Sequence, residues 1–165
     1  MQKRVLITIL SLSVMASCAR LLTVSAAVEE VNIVVNKSNQ VDSLSREEVR
    51  RIFMGEKSSW PGGKRIIVLM LAPDQAERAV ILREVYRMNE SDYTKYFLQA
   101  AFAGRVEEAP KELPSAIQMK ARLAANPAAI GYLKKEDVDD SVKVVMKLLS
   151  LHPPSQNNKE WGTPL

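Results

Sequence analysis

Leu44-Ser45-Arg46-Glu47-Glu48-Val49-Arg50-Arg51-Ile52-Phe53-Met54-Gly55 reads as one complete helix with both ends encoded in it. Ser45 and Glu48 form a capping box: the hydroxyl takes a first-turn amide while the carboxylate returns to the amide of the cap. Val49, Ile52 and Phe53 fall on one face, the face that would be buried. Gly55 supplies the left-handed residue that stops a helix. Trp60-Pro61-Gly62-Gly63 then reads as a turn.

Strands and helices alternate outward from this helix. Upstream, Val31 to Val35 is a short β-branched run with the character of a buried strand. Downstream, Arg65 to Leu71 is a second one. Asp74-Gln75-Ala76-Glu77 opens another helix by the same capping logic, with Val80, Ile81, Val85 and Met88 at helical spacing. Ser91 is expected to cap the next helix, which would bury Tyr93, Phe97, Ala101 and Phe102 before Gly104. A further helix is expected from Pro114 to Ala125, with Pro114 in its first turn, stopped by Asn126-Pro127. Ala129 to Leu133 and Val142 to Leu148 read as strands flanking the acidic turn Glu136-Asp137-Asp139-Asp140. The alternation predicts an α/β fold with a mostly parallel central sheet flanked by helices.

The first residues read as an export signal. Lys3 and Arg4 form a positive start, and Val5 to Ala19 is apolar or small, too short to span a bilayer. Val24-Ser25-Ala26-Ala27 suits cleavage after Ala26 or Ala27. A rival reading takes Met15-Ala16-Ser17-Cys18 as a lipoprotein box with lipid on Cys18. A third, an uncleaved anchor, is opposed by Arg20. The expected organisation is a signal peptide at 1–26, one domain at 27–150 and a disordered tail at 151–165, in a periplasmic or secreted protein. Removing Lys3, Arg4 and Arg20 leaves 20 of the 23 basic residues against 19 acidic ones, so the remaining chain has no global field to attract nucleic acid.

Chemistry is sparse. The only cysteine, Cys18, lies in the leader and the only histidine, His152, in the tail, so no disulfide, metal cluster or Cys/His nucleophile is expected. Glu47/Glu48 and Glu107/Glu108 read as solvated charges rather than catalytic pairs. No phosphate-cradling Gly-rich loop is present. A non-enzyme without a cofactor is expected.

Five short motifs occur in order: Val31-Asn32-Ile33-Val34-Val35-Asn36, Leu44 to Val49, Ile52 to Gly55 with Trp60, Tyr96-Phe97 with Phe102-Ala103-Gly104, and Asn126-Pro127-Ala128-Ala129-Ile130-Gly131-Tyr132. Together they resemble one lobe of the phosphate-binding branch of the type 2 periplasmic binding proteins. The motif residues themselves read as packing and turn elements. Tyr132 alone has two readings, a wall of a cleft or a core tyrosine.

The resemblance implies two lobes with an oxyanion such as phosphate held between them, delivered to an ABC permease. It also implies a Ser/Gly/Thr-rich anion turn after the second strand. This sequence has Leu71-Ala72-Pro73-Asp74-Gln75-Ala76-Glu77-Arg78 there. Pro73 has no amide hydrogen to donate, and Asp74 and Glu77 would repel an anion. The ligand-binding candidates are therefore Asp74, Gln75, Glu77, Arg78 and Tyr132. Arg78 is the one first-turn cation, and its rival reading is a solvated charge on a helix surface. Only one lobe is expected in this chain. The implied function is an exported solute-binding-like domain with weak or altered oxyanion binding. The alternative is an envelope interaction module that kept the lobe and lost its ligand.

Overall fold

The computed structural model describes residues 29–150. The segment 1–26, Cys18, His152 and the tail at 151–165 lie outside the described residues.

The helix that opens the sequence reading forms as written. It is α1 (Arg46–Phe53), with the Ser45/Glu48 capping box in place and Val49, Ile52 and Phe53 buried. Its last carbonyls are closed by Gly55 N–H on Ile52 O (3.0 Å) and Glu56 N–H on Arg51 O (2.8 Å). That pair of bonds needs a left-handed residue at position 55, and Gly55 has φ +77°.

The first strand, β1 (Glu29–Asn36), lies between the last two strands, β4 (Ala129–Lys134) and β5 (Val142–Ser150), antiparallel to both. On the other side of β4 come β2 (Ile67–Leu71) and then β3 (Lys111–Leu113), both parallel to β4. The order is β3-β2-β4-β1-β5. Four strands thus run one way and β1 alone runs against them, which makes the sheet mostly parallel as expected.

Helices cover both faces. Gly131 in β4 faces α4 (Ala116–Ala125): a Cβ on it would lie 2.5 Å from Met119 Sδ and 3.6 Å from Leu123 Cδ1. Its neighbour Tyr132 points to the opposite face. That side carries α1, α2 (Ala76–Ile81) with its π-helical continuation Leu82–Tyr86, and α3 (Glu90–Phe102). Five ring contacts tie this layer together, from Phe53–Tyr86 at 5.9 Å through Tyr86–Tyr93 at 5.0 Å to Tyr93–Phe97 at 4.8 Å. Such edge-on pairs each add about 0.5–1.5 kcal/mol to the area they bury. The phenols also close α1: Tyr86 donates to Phe53 O and Tyr96 to Met54 O, each at 3.0 Å.

Several expectations need correction. Helix α2 begins at Ala76, and Asp74 caps nothing; Gln75 holds the cap position without a side-chain bond. Pro73 and Asp74 belong to a turn closed by Gln75 N–H on Ala72 O (3.1 Å). The helical run does not reach Met88 regularly. Its end widens to a π turn and stops at Arg87, in the left-handed region at φ +57°. Arg50 compensates by donating to the freed carbonyls of Val85 and Tyr86, each at 2.8 Å. Asn89, not Ser91, caps α3 through Asp92 N–H (2.8 Å). The buried face of α3 is Tyr93, Phe97 and Ala100, leaving Ala101 and Phe102 outside. Helix α4 starts at Ala116 with Ser115 as cap, so Pro114 precedes it. The second strand begins at Ile67, while Arg65 bridges to Ser59. Strand β3 was not expected.

Gly55 meets two demands at once, since a Cβ there would also sit 2.5 Å from Val106 Cγ1. Gly55→Ala should lose about 2–4 kcal/mol of stability from left-handed strain plus overpacking. Urea unfolding with an unchanged slope would measure it, and a loss below about 0.5 kcal/mol would contradict this account of the turn.

Candidate functional site

Arg78 sits at the carboxyl end of β2, two residues into α2, and is buried to 1 % exposure. It is neither a solvated surface charge nor an open cation. Its guanidinium grips Glu90 with two donors, Nε to Oε2 at 3.0 Å and Nη2 to Oε1 at 2.5 Å. Nη1 donates to Leu71 O (2.6 Å) and to Glu112 Oε1 (2.8 Å). Its central carbon lies 4.9 Å from the centre of the Tyr93 ring, adding a cation–π contact.

Each partner is delivered by a separate element. Leu71 O is the last carbonyl of β2, Glu90 opens α3, and Glu112 is the middle residue of β3. Glu90 and Glu112 keep 43 % and 51 % of their side-chain surface in water, so they are anchored at one end and hydrated at the other. A guanidinium cannot shed its charge at any working pH, which makes such partners obligatory. Burial works to lower the Arg78 pKa, but Glu90 and Glu112 outweigh it and hold the group even further above neutrality.

Of the other candidates, Glu77 and Tyr132 are buried at the same end of β2, and Asp74 and Gln75 are not. Glu77 is buried, with Lys134 Nζ at 3.5 Å. Tyr132 is fully buried, and its hydroxyl accepts Leu71 N–H at 2.8 Å, which stitches β4 to the end of β2. That is the position of a core tyrosine, with no face on a cleft. Asp74 is exposed and Gln75 half-buried on the turn above. Arg78 and Glu77 thus share one site with Tyr132, while Asp74 and Gln75 stand outside it. Around the turn, Asp74, Glu77, Glu90 and Glu112 outnumber Arg78 and Lys134.

Glu90, Glu112 and Tyr93 are absent from the sequence-derived candidates, and they are the residues that define the state of Arg78. They lie 12, 34 and 15 positions away, and Glu112 belongs to a strand too short and too charged to stand out. Among the described residues, no group of three His, Cys, Asp or Glu could hold a metal ion, and no helix is long and apolar enough to cross a membrane.

Among solved structures, the chain is similar to an ABC-type phosphate transport receptor from Vibrio cholerae, at 22 % identity and a TM-score of 0.58 over 73 % of this chain and 46 % of that one. It is similar at 19 % identity and TM-score 0.58 to a putative phosphate ABC transporter substrate-binding protein from Clostridium perfringens with bound phosphate, over 73 % of this chain and 45 % of that one. A third is PstS from Borrelia burgdorferi, at 12 % identity and TM-score 0.52, over 72 % of this chain and 47 % of that one. The fold is that of one lobe of a type 2 periplasmic binding protein. The chain spans about half the length of the structures it resembles. No protein-family model matches it.

The phenols around Arg78 make this lobe less stable at alkaline pH. Burial pushes the Tyr93 hydroxyl up to about 12, and burial likewise raises Tyr86 and Tyr132. Unfolded tyrosines release their proton near pH ~10. Above that pH the unfolded chain holds fewer protons than the native one, so stability is complete below pH ~10 and falls as pH rises. Each phenol contributes a slope of up to about 1.4 kcal/mol per pH unit. Tyr93→Phe should flatten the fall between pH ~10 and ~12 in urea titrations. Identical slopes in both proteins would contradict the assignment.

Proposed function

We propose that this chain is a non-enzymatic interaction module of the cell envelope, built on a solute-binding lobe whose anion turn is closed from within. The observation that carries this reading is the capture of Arg78 by Glu90 and Glu112. The donors a free oxyanion would need are already bonded to carboxylates of the same chain, in a neighbourhood with four acidic and two basic groups. Two like unit charges about 4 Å apart repel by about 1 kcal/mol in bulk water and about 4 kcal/mol near a protein surface. Every 1.4 kcal/mol is about tenfold in Kd, so phosphate binding at this turn is weakened by several powers of ten against an open arginine. Helix α2 adds little to offset this, because its approach runs through Pro73, which has no amide hydrogen, and Asp74.

One observation favours the second reading, weak oxyanion binding. Glu90 and Glu112 are half in water, so both can swing outward while Leu71 O keeps Arg78 in place. The likeness to a protein with bound phosphate supports the same reading. An ABC permease partner belongs with it, whereas the module reading calls for an envelope protein.

Melting with phosphate and sulfate separates the two. A ligand at 100 times its Kd adds about 2.7 kcal/mol, and each kcal/mol moves Tm by about 2–8 °C in domains of this size. The wild-type chain should show no shift in either anion at millimolar concentration. The double variant Glu90→Gln with Glu112→Gln should gain a phosphate-dependent rise, because the amides release charge from Arg78. A concentration-dependent rise in the wild type would overturn the module reading and favour a receptor.

A further inference from the structure

The opposite end of β2 carries a cleft that the anion turn does not reach. It has a volume of about 230 Å³ and opens between the end of α1, the start of β2, the end of α3 and the start of β3. Its floor is apolar, formed by Ile52, Phe53, Ile66, Phe97 and Val106. Its rim carries Lys57, Arg65, Arg105 and Lys111 against Glu107 and Glu108, and Lys57 is also paired with Glu48 at 3.7 Å, which leaves an excess of one positive charge. The rim carboxylates are solvent-exposed and pair with Arg65 at 2.8 Å and Lys111 at 3.4 Å, contacts that cost little to exchange. The chain after residue 26 is nearly neutral, with 20 basic and 19 acidic residues, so this excess is local.

Beside the cleft, α3 leaves an apolar pair uncovered. Leu98 and Phe102 stand one turn apart on the outer face, 58 % and 86 % exposed. Phe102 lies two residues before Gly104, which is on the cleft wall. Lys95 precedes the pair by one turn and Arg105 follows it, so the stripe is basic at both ends. Surface apolar residues scattered singly mean nothing, but this pair stands one turn apart between two basic residues and ends two positions before a glycine of the cleft wall.

We propose that this surface docks an acidic segment of a partner protein, with one apolar side chain inserted in the cleft and its carboxylates on the basic rim. The volume suits a single side chain better than a free small molecule. Sites for free ligands run to about 300–1,000 Å³, and this cleft holds one leucine- or phenylalanine-sized group. The rim chooses the sign of the flanking residues and steers them in. The anion turn at the other end of β2 carries the opposite local charge, so an acidic segment is drawn to one end of the lobe and repelled from the other. The inference rests on the interaction-module reading and adds the chemistry of the partner.

Three fluorescein-labelled peptides test it on the full chain by anisotropy: a Glu/Asp-rich peptide with one central phenylalanine, the same peptide with serine in its place, and the same peptide with its acids changed to lysine. The first should bind at least about tenfold more tightly than either control, a difference of about 1.4 kcal/mol. Arg105→Glu and Phe102→Ser, both at exposed positions, should each weaken it by a similar factor, and added salt should weaken it further. Amide NMR shifts should centre on Lys57, Arg65 and Phe102. Equal binding of all three peptides, no binding of the first, or stronger binding of a single-stranded oligonucleotide would overturn the proposal. Shifts confined to another surface would overturn this site while leaving the module reading intact. A phosphate-dependent Tm, by contrast, overturns that reading itself.

Discussion

A guanidinium taken out of water must be given partners, and at the carboxyl end of β2 that requirement organises half of the lobe. Arg78 is held by the last carbonyl of β2, the first residue of α3 and the middle residue of β3. The contacting residues, Leu71, Glu90 and Glu112, are well separated in sequence, and one guanidinium fork ties them together. Strand β3 has only three residues and two of them are exposed, so it has little apolar burial of its own to hold it at the sheet edge. Its ladder with β2 and the Glu112 bond to Arg78 supply the rest. A lysine at this position would satisfy one carboxylate and leave the fork geometry unfilled.

A second layer of the same logic operates between helices. The end of α1 is closed by the phenols of Tyr86 and Tyr96, and the end of the α2 continuation is closed by Arg50 of α1. Each helix thus satisfies carbonyls of the other, and Tyr86, the last residue of the π turn Leu82–Tyr86, is one of the phenols that reach α1. The irregular turn and the left-handed Arg87 are costs of roughly 1 kcal/mol that this reciprocal closure offsets.

The fold was largely legible in the sequence because its signals are local. Ser45, Glu48 and Gly55 write α1 completely, and short apolar runs mark β1, β2, β4 and β5. The errors fall where a local signal lost to a neighbour. Asp74 resembles a cap, but Pro73 draws it into a turn. Phe102 has the character of a core residue, but the packing of Tyr93 and Phe97 against Tyr86 sets the face of α3 and leaves it outside. The state of the candidate site was much less legible. That Arg78 lies in the altered turn could be read directly. That Glu90 and Glu112 close on it could not, since the contact depends on where α3 and β3 arrive. Spacing within one segment carries no information about that.

The register of the sheet has one more consequence. Glu29 at the start of β1 is paired with Ser150 at the end of β5, on neighbouring antiparallel strands. The polypeptide therefore enters and leaves this lobe at the same place, through two adjacent strands of one edge. A unit wired in this way behaves like a plug on a two-strand stalk. Whatever precedes Glu29 and whatever follows Ser150 start side by side, so the lobe can be carried within or beside another structure without disturbing the layers that hold Arg78.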